Sequence, residues 1–329
     1  MSVLRLILRR IAGWAAMIVV ATNVTYFLAV IFLDPRSNYR DTRPIPTEQH
    51  IDQALAPYNL DPRVPILVRW WHWITGIVLH FDWGRSPTGG SVNAEIGYRA
   101  ITSAELVLVA TVASVIIGVG LGVVSALRQY QLTDRVLQAV SVILYNIPTV
   151  VAALLLVFGA IKINDAVEHR ILYVTGSSSP DVTGFWATLW DAMAHLLLPT
   201  ISLTLLGYVG YHLTQRALLL DTINADFVRT ARATGLTRAQ AVRRHALRAS
   251  LIPTATSVAF SIPAIFTGAV LTESIFGWHG MGEYFTLTLN KNDVHGVVAV
   301  AAFGALMTAV GAILADISTA FLDPRVRLR

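Results

Sequence analysis

The stretch LVLVATVASVIIGVGLGVVSAL, residues 106–127, decides the fold of this 329-residue chain. A helix of about 20 apolar residues crosses the roughly 30 Å hydrocarbon core of a bilayer, and this run has that length without a charge. Five further uncharged runs of similar length lie at 11–33, 136–161, 192–215, 249–272 and 294–315. Turn residues would break the buried strands of a soluble protein every 4–8 residues or so. The sequence therefore predicts an all-α membrane protein with six transmembrane helices.

The first uncharged run has an alternative interpretation, because Arg5, Arg9 and Arg10 precede it as in a signal peptide. The apolar part of a signal peptide is only about 7–15 residues long and ends in small residues. Residues 11–33 instead continue through VTYFLAVIFL to Asp34, which favours an uncleaved membrane anchor. The chain has no cysteine, which excludes disulfides and thiolate metal sites.

The distribution of basic residues predicts the orientation of the helices. With a cytoplasmic N-terminus, the inner segments hold 15 of the 25 lysines and arginines. The two short outer loops hold only Lys162, Arg170 and Lys291. Both termini are therefore predicted to be cytoplasmic.

These runs and charges divide the chain into twelve segments. The predicted order is a cytoplasmic N-terminus (1–10), transmembrane helix 1 (11–33), an extracytoplasmic loop domain (34–105), helix 2 (106–127), helix 3 (136–161), an outer loop (162–191), helix 4 (192–215), a cytoplasmic loop (216–248), helix 5 (249–272), an outer loop (273–293), helix 6 (294–322) and a cytoplasmic tail (323–329).

The long outer segment contains the aromatic stretch PILVRWWHWITGIVLHFDWGRS, residues 65–86. Its apolar side chains recur at helical spacing between Pro65 and Gly84, which predicts an amphipathic helix. Such a helix either lies on the outer membrane face or packs within a small outer domain, and the pattern fits both.

Small and helix-breaking residues interrupt several runs. Gly118 and Gly122 have GxxxG spacing, which allows a second helix to approach closely. Pro148, Pro199 and Pro263 are expected to kink helices 3, 4 and 5.

The cytoplasmic loop contains DFVRTARATGLTRAQAVRRHALRASLIP, residues 226–253, and residues 216–248 carry a net charge of +5. Asn224 is predicted to cap a first helix, and Gly235 to end it in the left-handed conformation. Thr237 and Gln240 form the Thr-x-x-Gln pattern of a capping box that starts a second short helix.

Three functions compete for this loop. Arginines near a membrane contact anionic headgroups, which explains the charge but not the folded helix-turn-helix. Nucleic-acid binding is disfavoured, because a loop held between two spans reaches a duplex groove poorly. The third is a rigid docking element for a cytoplasmic protein.

The segments DFVRTARATGL (226–236) and RHALRASLIP (244–253) resemble the cytoplasmic loop of ABC importer permeases of the oligopeptide and dipeptide branch. Gly235 and Ala231 match the general Glu-Ala-Ala-x-x-x-Gly loop motif, whereas Arg229 and Thr230 replace its Glu and first Ala, as in the peptide branch. FDWGRS (81–86), ESIFGWHGMGEYF (273–285) and LDPRVRLR (322–329) are also similar to that branch. The resemblance covers essentially the whole chain and implies a type I ABC importer permease-like fold.

The resemblance also implies partners and site residues. This chain would be one of two homologous permease subunits, with two cytoplasmic ATPase subunits, an extracytoplasmic solute-binding protein and membrane lipids as its other partners. Its only lysines, Lys162 and Lys291, do not follow the glycine of a P-loop, so ATP and Mg would bind to the partner ATPases and no cofactor to this chain. The ATPase-coupling residues would be Asp226, Phe227, Arg229, Thr230, Ala231, Arg232, Gly235 and Leu236.

The alternative is a secondary transporter or channel that acts without ATPases. Such a protein is expected to place carboxylates near the bilayer midplane, and none of the six uncharged runs contains Asp or Glu. His195 and His212 lie near the two ends of helix 4 and are expected to be hydrogen-bonded interfacial side chains. No catalytic or metal-binding constellation is found. The candidates for lining the pathway are Asn146, Tyr208, Tyr211, Ser257 and Ser261, each of which interhelical hydrogen bonding would also explain.

Overall fold

The computed structural model describes residues 3–40, 42–180 and 182–322, with side chains within 9–258 and 269–316. In these ranges the chain is helical and contains no β-strand. The first helices in chain order are α1 (Val3–Phe32), α2 (Ser37–Arg40), α3 (Glu48–Leu55), a 3₁₀ turn (Ala56–Tyr58), α4 (Ile66–His80), α5 (Val92–Leu127), α6 (Leu132–Tyr145) and α7 (Thr149–Val167). They are followed by α8 (Phe185–Ile223), α9 (Asp226–Ala233), α10 (Arg238–Ala241), a π-helical turn (Val242–Ala246), α11 (Leu247–Gly268), α12 (Val270–Phe276), α13 (Met281–Asn290) and α14 (Val294–Leu322).

Five segments within the described side chains are long and apolar enough to cross a membrane. They are Arg9–Arg40, Val92–Leu127, Thr149–Val167, Phe185–Ile223 and Val294–Asp316. The predicted fifth span, 249–272, coincides largely with α11, of which side chains 259–268 lie outside the described residues. The all-α membrane fold follows from these helices.

The predicted third span differs from the structure, because residues 136–161 form parts of two helices. Helix α6 ends at Tyr145 with Asn146 as its C-cap, and α7 begins after Pro148, which has an extended ψ of 138°. Proline has no amide hydrogen and disfavours helical backbone in the residue before it, so the chain breaks here rather than bends. Pro199, by contrast, lies within the continuous helix α8.

The chain divides into two compact units, Met1–Ser103 with His279–Ala309 and Ala104–Trp278 with Val310–Arg329. The core of the first unit contains Tyr26, Ile51, Leu55, Leu60, Trp73, Val294 and Val298. Trp73 stacks on Tyr26 with ring centroids 4.5 Å apart, which holds α4 against α1.

Helix α8 is the central element of the second unit and packs against α6, α7, α11 and α12. The two glycines of the GxxxG pattern lie where α5 meets α8. A Cβ at Gly118 would lie 2.5 Å from the carbonyl oxygen of Tyr208, and one at Gly122 would lie 2.8 Å from that of His212. Only glycine allows this approach of the two backbones.

Candidate functional site

The eight-residue helix α9 forms the first arm of the candidate docking loop. Its inner face is apolar, with Val228 buried and Ala231 half-buried. On its outer face Phe227, Arg229 and Thr230 are exposed, as are Asp226 and Arg232. Among the described side chains Arg229 has one ionic contact, with Asp226 at 3.7 Å and in solvent, so its guanidinium remains available to a partner.

The predicted N-terminal cap of α9 is wrong. Asn224 ends α8 as its C-cap, and its side chain approaches the Leu220 carbonyl oxygen at 3.5 Å. The N-cap of α9 is Ala225, which has extended backbone and no side-chain cap. The preceding helix reaches closer to α9 than the sequence pattern indicated, so the asparagine belongs to its end.

The predicted glycine turn at the other end of α9 is confirmed. Gly235 has a φ of +101°, and its N–H donates to the Arg232 carbonyl at 3.1 Å. The Leu236 N–H donates to the Ala231 carbonyl at 3.3 Å. These two bonds form a Schellman motif, with the half-buried Leu236 packed against the adjacent apolar cluster.

The second arm begins with the predicted capping box, which is confirmed. The Thr237 hydroxyl accepts from the Gln240 N–H, and the Gln240 side chain accepts from the Thr237 N–H. The arm is not the short separate helix that was expected. It runs from α10 through the π-helical turn directly into α11, so the loop is continuous with the helix at the predicted fifth span.

An apolar cluster fastens both arms to the bundle. It contains Ala126 of α5, Leu219 of α8, Val228 of α9 and the second-arm residues Ala241, Val242 and Ala246. Because all six side chains are buried, α9 cannot move far without α5, α8 and α11.

A buried ion pair between Asp134 and Arg216 joins α6 to α8. The Asp134 carboxylate is fully buried and accepts from Arg216 Nε and Nη2 at 2.8 and 2.9 Å. It also accepts from the Ser125 hydroxyl, the Tyr130 N–H and Gln138 Nε2. The hydrogen bonds from Arg216 hold the pKa of the Asp134 carboxyl well below its ordinary value. Asp134 therefore fixes the α5–α6 turn to the end of α8.

A cavity of about 530 Å³ lies in the second unit, among α5, α8, α11 and the first residue of α7. None of its lining side chains is charged, and seven carry a hydroxyl: Thr111, Ser114, Thr149, Tyr211, Thr214, Thr254 and Ser257. Six of these form i, i+3 pairs, one pair on each of α5, α8 and α11, which places each pair on one helix face. The volume of the cavity is within the range of ligand-binding sites, about 300–1,000 Å³.

The five pathway candidates fall in different places. Tyr211 and Ser257 line the cavity. Tyr208 is buried beside Ser141, and Asn146 caps α6 and donates to the Val142 carbonyl. Ser261 lies outside the described side chains.

Sequence reasoning missed several of the residues that build these sites. The i, i+3 hydroxyl pairs were a readable signal for the cavity. The sequence signal for the pairing of Asp134 with Arg216 was weaker. It consisted of one acidic residue at the start of a segment whose other charges are basic.

The two histidines of α8 are buried. His212 Nδ1 lies 2.6 Å from the Ser141 hydroxyl, and its Nε2 has no hydrogen-bond partner within the described residues. His195 Nδ1 lies 2.9 Å from the Asp191 carbonyl oxygen. Neither lines the cavity, so their contacts are those of helix packing.

Comparison with known proteins gives a consistent result. The family model described as binding-protein-dependent transport system inner membrane component matches residues 118–328. The oligopeptide transport system permease protein OppB of Mycobacterium tuberculosis (strain H37Rv) is 38% identical over 98% of this chain and 99% of its own length. The dipeptide transport system permease proteins DppB of Bacillus subtilis and Escherichia coli K12 are 29% and 28% identical over 98% of this chain, covering 98% and 99% of their own lengths.

Proposed function

Because the chain belongs to the family of binding-protein-dependent transport system inner membrane components, we propose that it is the membrane-spanning permease subunit of an ATP-driven peptide importer. It is a multi-pass protein of the bacterial inner membrane, with both termini in the cytoplasm. It forms half of a translocation pathway, and a second homologous permease forms the other half. The names of the oligopeptide and dipeptide permeases to which it is similar support peptides as the substrate.

Two partner ATPases supply the energy, and ATP and Mg bind there. Moving a two-state bundle from 1:99 to 99:1 requires about 5.5 kcal/mol of differential interaction, which nucleotide-driven closure of the ATPases provides. An extracytoplasmic solute-binding protein delivers the substrate.

The observation that carries the proposal is the two-sided structure of α9. Its inner face, through Val228, belongs to a buried cluster with residues of α5, α8, α10 and the π-helical turn. Its outer face presents Phe227, Arg229 and Thr230 to solvent, as a docking surface requires. Since both ends of α9 are fixed by the bundle and the Schellman motif, a displacement of this surface is passed to α5, α8 and α11.

The uncharged cavity is the part of the pathway that this subunit contributes, with Tyr211 and Ser257 among its lining side chains. Hydroxyl groups bond to a peptide backbone whatever the side chains are. The alternative, a secondary transporter or channel without ATPases, receives no support from the cavity, since no carboxylate lines it to bind a coupling ion.

Replacement of the turn glycine tests the proposal. Gly235→Pro cannot adopt the φ of +101° and lacks the N–H that bonds to Arg232, so we expect peptide uptake by reconstituted vesicles to be lost. Gly184→Pro is the matched control, because Gly184 also has a positive φ, of +97°, but is the N-cap of α8 and lies outside the docking loop. Normal uptake by Gly235→Pro, or equal loss in both variants, would contradict a coupling role.

Two further measurements separate the competing functions. Co-purification in mild detergent should recover two ATPases and a second permease. Transport by the purified chain alone would instead favour the secondary transporter. Arg229→Lys and Arg232→Lys keep the charge, so headgroup contact predicts little change, whereas docking through guanidinium hydrogen bonds predicts lost uptake.

A further inference from the structure

Helix α4 has an apolar outward face that no part of the described chain covers. Its exposed large hydrophobic side chains are Leu67, Val68, Trp71, Val78 and Leu79, followed by the capping residue Phe81, with exposed fractions between 41 and 73%, and its exposed polar side chains are His72 and His80. The only Asp, Glu, Lys or Arg of the helix is Arg69, which is buried on the opposite face. Water-exposed surfaces rarely present so much contiguous apolar area.

The opposite face of α4 packs on the membrane-spanning helix α1. Trp70 Nε1 donates to the Asn23 side-chain oxygen at 2.6 Å, and Trp73 stacks on Tyr26. Both contacts join α4 to residues of α1 that lie well inside the uncharged run 11–33.

The position of these contacts along α1 gives the depth of α4. Tyr26 and Asn23 precede the end of α1 at Phe32 by about 9 and 14 Å, at 1.5 Å per residue. Half of the hydrocarbon core is about 15 Å thick. The uncharged run of α1 is only slightly longer than the bilayer is thick, so little of it projects into water. Helix α4 therefore lies at the depth of acyl chains.

Three further features agree with lipid as the occupant of this face. Val19, Val20, Val24, Leu28 and Ile31 of α1 are exposed as well, so the apolar surface of α4 adds to one that already faces lipid. With 15 residues, α4 is too short to span the bilayer, as is typical of interfacial and re-entrant helices. Its Trp71 is of the type enriched at membrane interfaces.

We infer that α4 is embedded in the leaflet crossed by the C-terminal half of α1, with Leu67, Trp71 and Val78 in contact with lipid. Residues 34–105 are then not wholly an aqueous domain but are held in the bilayer at α4. This inference depends on α1 spanning the membrane and not on the proposed transport function.

Site-directed spin labelling tests it directly, because the chain has no native cysteine. The single variants Leu67→Cys, Trp71→Cys and Val78→Cys would carry a nitroxide in the complete assembly in lipid nanodiscs, with cysteines of other subunits removed. Thr88→Cys, at an exposed site in the turn after α4, is the aqueous control. Lipid contact predicts that, at the first three sites, the collision rate with oxygen exceeds the collision rate with a water-soluble nickel chelate several-fold. At the control site, the ratio of these two rates should be lower.

Each other outcome overturns the inference. Chelate access at the three sites equal to that at Thr88→Cys would place α4 in water. Exclusion of both reagents would show that a protein subunit covers this face. As a check without labels, Trp71→Phe should reduce the quenching of tryptophan fluorescence by brominated lipids, and unchanged quenching would count against lipid contact.

Discussion

The ion pair between Asp134 and Arg216 allows a quantitative test of how the end of α8 is held. We expect Arg216→Met to destabilise the protein by about 2–3 kcal/mol. Removing one partner of a buried ion pair costs about 3–5 kcal/mol. We expect less than this general cost because the Arg216 side chain is 17% exposed and because Asp134 keeps three other hydrogen-bond donors.

Asp134→Leu should cost more, about 4 kcal/mol, because it leaves the guanidinium without its two carboxylate bonds and the Ser125, Tyr130 and Gln138 donors without their acceptor. The double variant Asp134→Leu/Arg216→Met removes both charges but keeps the unpaired donors, so it should be destabilised by about 2 kcal/mol. The cycle therefore predicts a coupling free energy of about 4–5 kcal/mol.

Unfolding of the purified protein in mixed SDS and mild detergent, followed by circular dichroism, gives the three differences. The pKa of Asp134 is lowered by the hydrogen bonds from Arg216, so its contribution to stability is present above the unfolded-state value of 3.8 and is lost only as the pH falls through the lower folded-state value. The effect of Arg216→Met should thus be constant between about pH 5 and 8. Additive single effects, or single effects under about 0.5 kcal/mol, would refute the reasoning.

Three further substitutions can each be compared with a control variant or a control pH. Gly210→Leu should block uptake by filling the cavity, whereas Gly120→Leu should not, because both glycines have open space around them but only Gly210 lines the cavity. Gly122→Val should destabilise the packing of α5 on α8 by about 1–3 kcal/mol in detergent unfolding, and Gly120→Val should not. Burial raises the pKa of Asp293 from 3.8 to about 6, so its contribution to stability is complete below about pH 4 and is lost as the pH rises through 6. Asp293→Asn should therefore stabilise at pH 8 by up to about 3 kcal/mol and be neutral near pH 4, and a pH-independent difference in melting temperature would contradict this.

Local chemistry made much of this architecture predictable. The spans follow from charge-free runs, since a charge in hydrocarbon is too costly to place there. The Schellman motif at Gly235 and the capping box at Thr237 follow from bonds between residues at most five positions apart.

The failures arose where a competing or distant element decides the outcome. Asn224 is equally suited to end one helix or start the next, and the length of α8 determined which. Asp134 and Arg216 are 82 positions apart, so no local pattern joins them. The aromatic stretch left two placements open, because the contacts of Trp70 and Trp73 with α1, from which we infer the depth of α4, join residues more than 40 positions apart.

The small size of α9 has a consequence for recognition. Isolated helices shorter than about 12–15 residues are marginal in water, so an excised DFVRTARA peptide would be a disordered coil. Ordering each backbone residue opposes association by about 1–2 kcal/mol of lost conformational entropy. Within the intact protein that loss has already occurred on folding, so the proposed ATPase partner would meet a pre-shaped surface. The free peptide should consequently be a poor competitor for the same subunit, even though it contains the same exposed side chains.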